Sequence, residues 1–192
     1  MAGRNYAIFD TGVGRCGIVW SDAGVACVQL PEAREIETRR RPFRLYPEAR
    51  EQRPSATIEI AIEGIAALLR GQPCDLAGVM LDMTGIPAFS QRVYEFTSTI
   101  PRGETRTYGE VAAWLRRAGG EFSVAQAIRK NPFMVVVPCH RVLETAQYAD
   151  KSSPFGDTIS KRHLLSLEGT RPTASNTLFD ALLPVAPPRH HN

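Results

Sequence analysis

The hydrophobic period changes partway along the chain, and few folds accommodate that change. In the first half, outside one helical stretch at 55–71, the apolar residues come in short β-branched or aromatic runs, "NYAIFD", "CGIVW" and "GVACVQL", broken by Gly and Asp turns. After "TGIPA" at 84–88 they recur at helical spacing, with Phe89, Val93, Phe96 and Ile100 on one face. This shift predicts a small α/β domain over residues 1–86 joined to a mainly α domain over 87–171. Residues 172–192 have little to pack and read as a loose tail. The 192 residues are enough to bury a real core, in one domain or two small ones.

In the first half, Ser55 reads as the N-cap of a helix with Ile58, Ile62, Ile65 and Leu69 at helical spacing and Gly71 past its end. "LAGVMLDM" (76–83) reads as a further strand. The polar, proline-studded stretch 34–54 reads as a long loop, with Arg39, Arg40, Arg41 and Arg44 in solvent rather than on a phosphate. In the second half, "PRGETRTYG" reads as a turn. "EVAAWLRRAGG" and "EFSVAQAIRKNP" read as two short helices joined by a glycine turn, a helix-turn-helix pattern. "TISKRHLLSLEG" reads as a last helix ending at Gly169.

Hydrophobic residues make up 43% of the chain and charged ones 22%, which excludes wholesale disorder. No apolar run approaches the roughly 20 residues that span a bilayer, and the first residues lack a signal-peptide core. A cytoplasmic protein is expected, nuclear in a eukaryote, with no membrane partner. The cysteines, Cys16, Cys27, Cys74 and Cys139, form no CxxC pair and have no His at zinc-finger spacing, so neither a metal site nor a disulfide is read. Cys16, Cys27 and Cys74 read as small buried apolar residues. Residues 1–87 carry 10 Lys/Arg against 11 Asp/Glu, a net −1, and residues 88–172 carry 12 against 8, a net +4. The positive charge gathers in the half that holds Cys139, which permits an anionic partner such as DNA.

The strand-like run Phe133–Val137 ends at Pro138 and is followed at once by Cys139, His140 and Arg141. A thiolate is a strong nucleophile, and a neighbouring imidazole promotes it. Adjacent residues on an extended chain point opposite ways, so pairing the two needs a turn or a bridging water. Taken alone, the string also fits a buried cysteine followed by a polar loop.

Four strings occur in one order: "FSQRVYEFTSTIPRGETRTYGEVA" (89–112), "AIRKNP" (127–132), "VVVPCHRV" (135–142) and "KRHLLSLEG" (161–169). With them, residues 88–170 resemble the O6-alkylguanine-DNA alkyltransferases, the methylated-DNA–protein-cysteine methyltransferases. The resemblance implies a ribonuclease-H-like α/β N-terminal domain and a winged-helix-like, mainly α C-terminal domain containing the helix-turn-helix. It implies a monomer that binds double-stranded DNA in the minor groove, flips an alkylated guanine out and transfers the alkyl group to a cysteine, once per molecule and without a cofactor. Extruding a base costs least when it is damaged or mispaired. Carried over residue by residue, Cys139 is the acceptor, His140 takes its proton through a water, and Glu168 orients and charge-balances His140. Asn131 is the hinge between recognition helix and reactive loop. Tyr108 rotates the phosphate and supports the pocket of the flipped base. Arg141 holds the loop. Small side chains suit entry into the minor groove, and "SVAQA", Ser123 to Ala127, supplies them.

Two positions depart from the family. Where it carries an arginine at the start of the recognition helix, counting back from Asn131 and Cys139 gives Phe122. Phenylalanine can act as an apolar wedge, but it lacks the charge and donors of arginine. Arg116, Arg117 or Arg129 can supply phosphate affinity only from elsewhere. After "PCHRV" the family has a glycine-rich segment with a pocket tyrosine. Here stands "LETAQYADKSSPFGD", with one glycine and with Tyr148 displaced by four or more residues. Tyr148, Ser152 and Ser153 are the candidates to rebuild that pocket. Three functions therefore stay open at this point: repair by transfer to Cys139, binding of alkylated DNA without repair, and alkyl acceptance from a substrate other than DNA.

Overall fold

The computed structural model describes residues 3–32, 34–144 and 159–170. Strands β1 (Asn5–Thr11), β2 (Gly14–Ser21) and β3 (Gly24–Gln29) form an antiparallel meander, and the short β4 (Arg50–Glu51) adds parallel to β1. The strand order is β3-β2-β1-β4. One face of this sheet buries Ala7, Cys16, Ile18, Trp20 and Val28. Helix α2 (Ala56–Leu69) brings Ile58, Ala61, Ile65 and Leu69 into the same core. Each such Ile or Leu contributes roughly 2 kcal/mol by leaving water. The opposite face buries Tyr6, Val19, Ala26 and Cys27 with Ala49.

The second half is helical: α3 (Ala88–Ser98), α4 (Tyr108–Trp114), α5 (Glu121–Arg129) and α6 (Lys161–Leu167). A capping box starts α4, with the Thr107 hydroxyl accepting from the Glu110 amide and the Glu110 carboxylate accepting from the Thr107 amide. Two short strands, β5 (Arg106–Thr107) and β6 (Val142–Leu143), pair in parallel beside these helices. One apolar core runs through both halves, from Val28 and Ile65 to Val124, Val137 and Leu164. The Val28 amide donates to the Pro132 carbonyl at 2.8 Å. The Arg102 guanidinium donates to the carbonyls of Gly71 (2.7 Å) and Leu167 (3.0 Å), fastening the end of α2 to the end of α6.

Several expectations are corrected. Part of the stretch read as a loop is a helix, α1 (Glu35–Leu45), against β2 and β3. Among its described side chains Ile36 and Leu45 are exposed and Thr38 is buried, its hydroxyl accepting from the Glu32 amide, so those positions announce no apolar stripe. The strand expected at 76–83 is a single bridge, Leu81 with Val25, because a turn at Leu76–Val79 breaks the run. Gly24 is what admits that crossing, since a Cβ there would run into the Met80 carbonyl. Cys74 is exposed rather than buried, because it sits in a polar loop after α2 without apolar cover. Ser55 does precede α2, but its side chain makes no capping bond. The run Phe133–Val137 is a folded-back turn rather than a strand.

Candidate active site

Asn131 causes that turn. It lies just past α5, buried, and its side chain bonds in two directions. Its Oδ1 accepts from the Phe133 amide at 2.9 Å and its Nδ2 donates to the Val137 carbonyl at 3.3 Å. The Val137 amide returns to the Phe133 carbonyl at 2.8 Å. At the tip Val135 takes φ 72°, a left-handed conformation that a β-branched residue adopts at a cost. Pro138 (φ −78°, ψ 60°) then makes a γ-turn, with the Cys139 amide donating to the Val137 carbonyl at 2.7 Å. Cys139–Arg141 form one turn of 3-10 helix. The turn required to bring a thiol and an imidazole onto one wall is therefore present.

Cys139 and His140 are both buried. The His140 Nε2 meets the Glu168 Oε1 at 2.9 Å. Because the carboxylate can only accept, Nε2 carries the hydrogen. Nδ1 is then the lone-pair nitrogen, buried and without a partner among the described residues. Arg141 grips the same carboxylate, with Nε 3.0 Å from Oε2 and Nη2 2.7 Å from Oε1, and its Nη1 donates to the Ile100 carbonyl at 2.6 Å. Arg141 thus holds Glu168 and ties the reactive turn to the end of α3.

The electrostatics follow from burial. Burial pushes the Cys139 thiol above its ordinary value, and the Asn131 side-chain hydrogen bond and the Lys161 charge pull it only part of the way back. Burial also pushes His140 below 6.5, against the pull of Glu168. At Glu168 burial favours the neutral acid, but the bonds from His140 and Arg141 outweigh it and hold the carboxyl at about 2. The resting site is a neutral thiol, a neutral imidazole and a charged carboxylate.

Lys161 was not singled out in the sequence. It opens α6, is buried, and donates from Nζ to the Tyr108 hydroxyl (3.1 Å) and the Val142 carbonyl (3.0 Å). A lysine heading the last helix was the available signal, but nothing in its spacing pointed at Cys139. Tyr108, the first residue of α4, is thereby held against α6. The helix-turn-helix is α4 and α5. On α5, Val124, Ala127 and Ile128 are buried, and the Ala127 carbonyl accepts from the Tyr94 hydroxyl at 2.9 Å. Ala127 therefore seats the helix in the core. Phe122, Gln126 and Arg129 form the exposed stripe, and Ser123 is half-buried beside it. Tyr148, Ser152 and Ser153 lie outside the described residues.

The model of the 6-O-methylguanine DNA methyltransferase DNA-binding domain matches residues 88–170. The methylated-DNA–protein-cysteine methyltransferase of Methanothermobacter thermautotrophicus is 35% identical over 153 residues, covering 80% of this chain and 78% of that one. The chain belongs to the methylated-DNA–protein-cysteine methyltransferase family. The Mycobacterium tuberculosis methyltransferase is 40% identical over 121 residues, which are 62% of this chain and 70% of that one. The crystal structure of the M. tuberculosis O6-methylguanine methyltransferase matches with TM-score 0.69 at 29% identity, over 92% of this chain and 99% of that one. The M. tuberculosis OGT in complex with DNA matches with TM-score 0.63 at 25% identity, over 85% and 92%. A methyltransferase of this family has an N-terminal sheet domain and a helical C-terminal domain, as here.

Proposed function

We propose that this methyltransferase repairs DNA carrying O6-alkylguanine by irreversible transfer of the alkyl group, methyl in the simplest case, to Cys139. The observation that carries the reading is the buried thiol beside a histidine whose Nε2 is committed to Glu168 and whose Nδ1 is left open. The Cys139 proton passes through a water to Nδ1 as Sγ attacks the alkyl carbon. The carbon–O6 bond breaks and its electron pair leaves with guanine. Glu168 stabilises the imidazolium as it forms, with the logic of a catalytic triad. Lys161 donates to the Tyr108 oxygen, which leaves the Tyr108 hydrogen free to be given to the departing base. Solvent then returns a proton to Tyr108 and removes one from His140. The products are an S-alkyl cysteine and neutral guanine, so the chemistry closes without a cofactor. The thioether has no route back to a thiol, so each molecule acts once.

DNA enters this reading through α5, whose exposed stripe lies at the start of the reactive loop, and through the net positive charge of residues 88–172. Ser123 and the other small residues on α5 favour approach by the minor groove. The strand order β3-β2-β1-β4, with helices after β3 and β4, supports a ribonuclease-H-like N-terminal domain divided from the rest near residue 86. Helices α3 to α5 with the β5–β6 pair support a winged-helix-like second domain. The reading takes the protein as a monomer. Titration with a duplex containing O6-methylguanine tests it. The lesion should disappear one for one with protein and then stop, whereas continued turnover would contradict the proposal.

A further inference from the structure

A groove of about 660 Å³ lies between α2 and the segment 74–80. Its lining is mainly apolar and includes Val25, Ile58, Ile60, Leu76, Val79 and Met80. Gly64 lets the two walls meet, since a Cβ there would run into the Leu76 side chain and come within 3.2 Å of the Cys74 Sγ. Ile60 and Met80 are 67% and 66% exposed. Two large apolar side chains on one groove leave water only when something covers them. Arg70, at the end of α2, also lines the groove.

The chain leaves the described fold at that same helix end. A Cβ on Gly71 would meet the Leu167 carbonyl of α6 at 3.1 Å, and Arg102 donates to both carbonyls. Thr170 follows closely, buried, with a hydroxyl that has no partner among the described residues. The stretch expected as a loose tail, 172–192, lies outside the described residues. Its sequence carries "TLFDALLPV" (177–185), in which Leu178 and Leu182, and Phe179 and Leu183, stand four apart, as on one helical face. The seven residues 171–177 can span up to about 24 Å. Helix α2, with 14 residues, is about 21 Å long, so the whole groove is within reach. The charges also match in sign. The groove has Glu63 and Asp75 against Arg70, a net −1, and residues 171–192 have Arg171 and Arg189 against Asp180, a net +1.

We propose that residues 178–185 of the chain's own tail dock in this groove and cover Ile60 and Met80. The tail then acts as a strap from the end of α6 onto α2, fastening the second half of the chain to the first. The tether makes docking intramolecular, at an effective concentration on the order of 1 mM, so modest apolar contacts suffice. The proposal does not depend on the repair reading.

Cys74 lines the groove and is exposed, whereas Cys16, Cys27 and Cys139 are buried, so the thiol of Cys74 reports on the cover. The test measures its labelling by uncharged iodoacetamide in the full chain, with the site assigned by peptide mass. Wild type should label at Cys74 on the order of tenfold more slowly than Phe179→Asp with Leu182→Asp, the ratio of a 1 mM effective concentration to an intrinsic Kd of about 0.1 mM. Ile60→Ser with Met80→Ser changes two exposed positions and leaves the core intact. That pair should release Cys74 to the same extent, and combining it with the tail pair should add nothing further. Equal labelling of wild type and the tail variant, or effects of the two pairs that simply add, would overturn the proposal. Protection that fades when the protein is diluted would overturn it too, because it would put a second copy in the groove.

Discussion

Glu168 accepts from both His140 and Arg141, and its carboxyl sits at about 2, below the ordinary 4.5, although burial alone would raise it. A depressed carboxyl stabilises the fold above its ordinary value, and that contribution is lost as pH falls from 4.5 toward 2. Its side chain is 7% exposed, at the edge of the buried cluster, and with some allowance for solvent the contribution is roughly 2 kcal/mol. Urea unfolding should therefore show wild type losing about 2 kcal/mol more than Glu168→Gln between pH 5 and pH 2. Parallel losses would mean the carboxylate is not paired. His140 is neutral at rest and gains its charge only on protonation, yet its linkage has the same sign, because burial lowers its value. Its value lies below 6.5, so the neutral base persists at pH 7 and is lost only on further acidification. With a free O6-alkylguanine, the rate should hold at pH 7 and fall only below 6.5. His140→Gln should remove that limb and cost on the order of a hundredfold. A limb centred above pH 7 in wild type would contradict a buried neutral imidazole. Cys139, His140, Glu168 and Asn131 were legible because the strings around them match the family. Lys161 was not, because its role depends on α6 crossing the reactive turn.

At the scale of elements, the reactive turn depends on Asn131 more than on the apolar run it closes. Asn131→Ala leaves the Phe133 amide and the Val137 carbonyl without these buried bonds, a cost of about 2–3 kcal/mol. Thermal melting should fall accordingly, and Cys139 should become more reactive toward a small thiol reagent as the turn loosens. An unchanged melt and an unreactive thiol would place the hold on the turn elsewhere. The same side chain explains why five apolar residues failed to make a strand: it supplies the partners a ladder would have provided. Helices α2 to α6 followed from apolar spacing and glycine ends. Helix α1 did not, because among its described side chains the apolar Ile36 and Leu45 are exposed and the buried one is a threonine, and Pro42 argued against it. The expected strand at 76–83 failed for a related reason. Its single bridge depends on how close Gly24 lets the Met80 carbonyl come, which is a tertiary fact.

Across the molecule, one core joins the sheet to the helices, through Val28 with Phe133 and through Arg102 between α2 and α6. The two tryptophans report on different halves, Trp20 buried in the sheet and Trp114 exposed on α4. Urea unfolding of Trp114→Phe, followed by Trp20 fluorescence and by helical circular dichroism, should give coincident transitions. A sheet signal that unfolds separately from the helical one would contradict a shared core. The change of period near residue 84 was legible in the sequence, but the core that crosses it was not, because Val28 and Phe133 are far apart in the chain. The central claim is that this assembly serves one reaction at Cys139. Its most direct test is the intact mass of wild type and of Cys139→Ala after incubation with a duplex carrying O6-methylguanine. The account predicts a gain of about 14 Da, one methyl group, in wild type alone. No gain in wild type, or the same gain in Cys139→Ala, would contradict it.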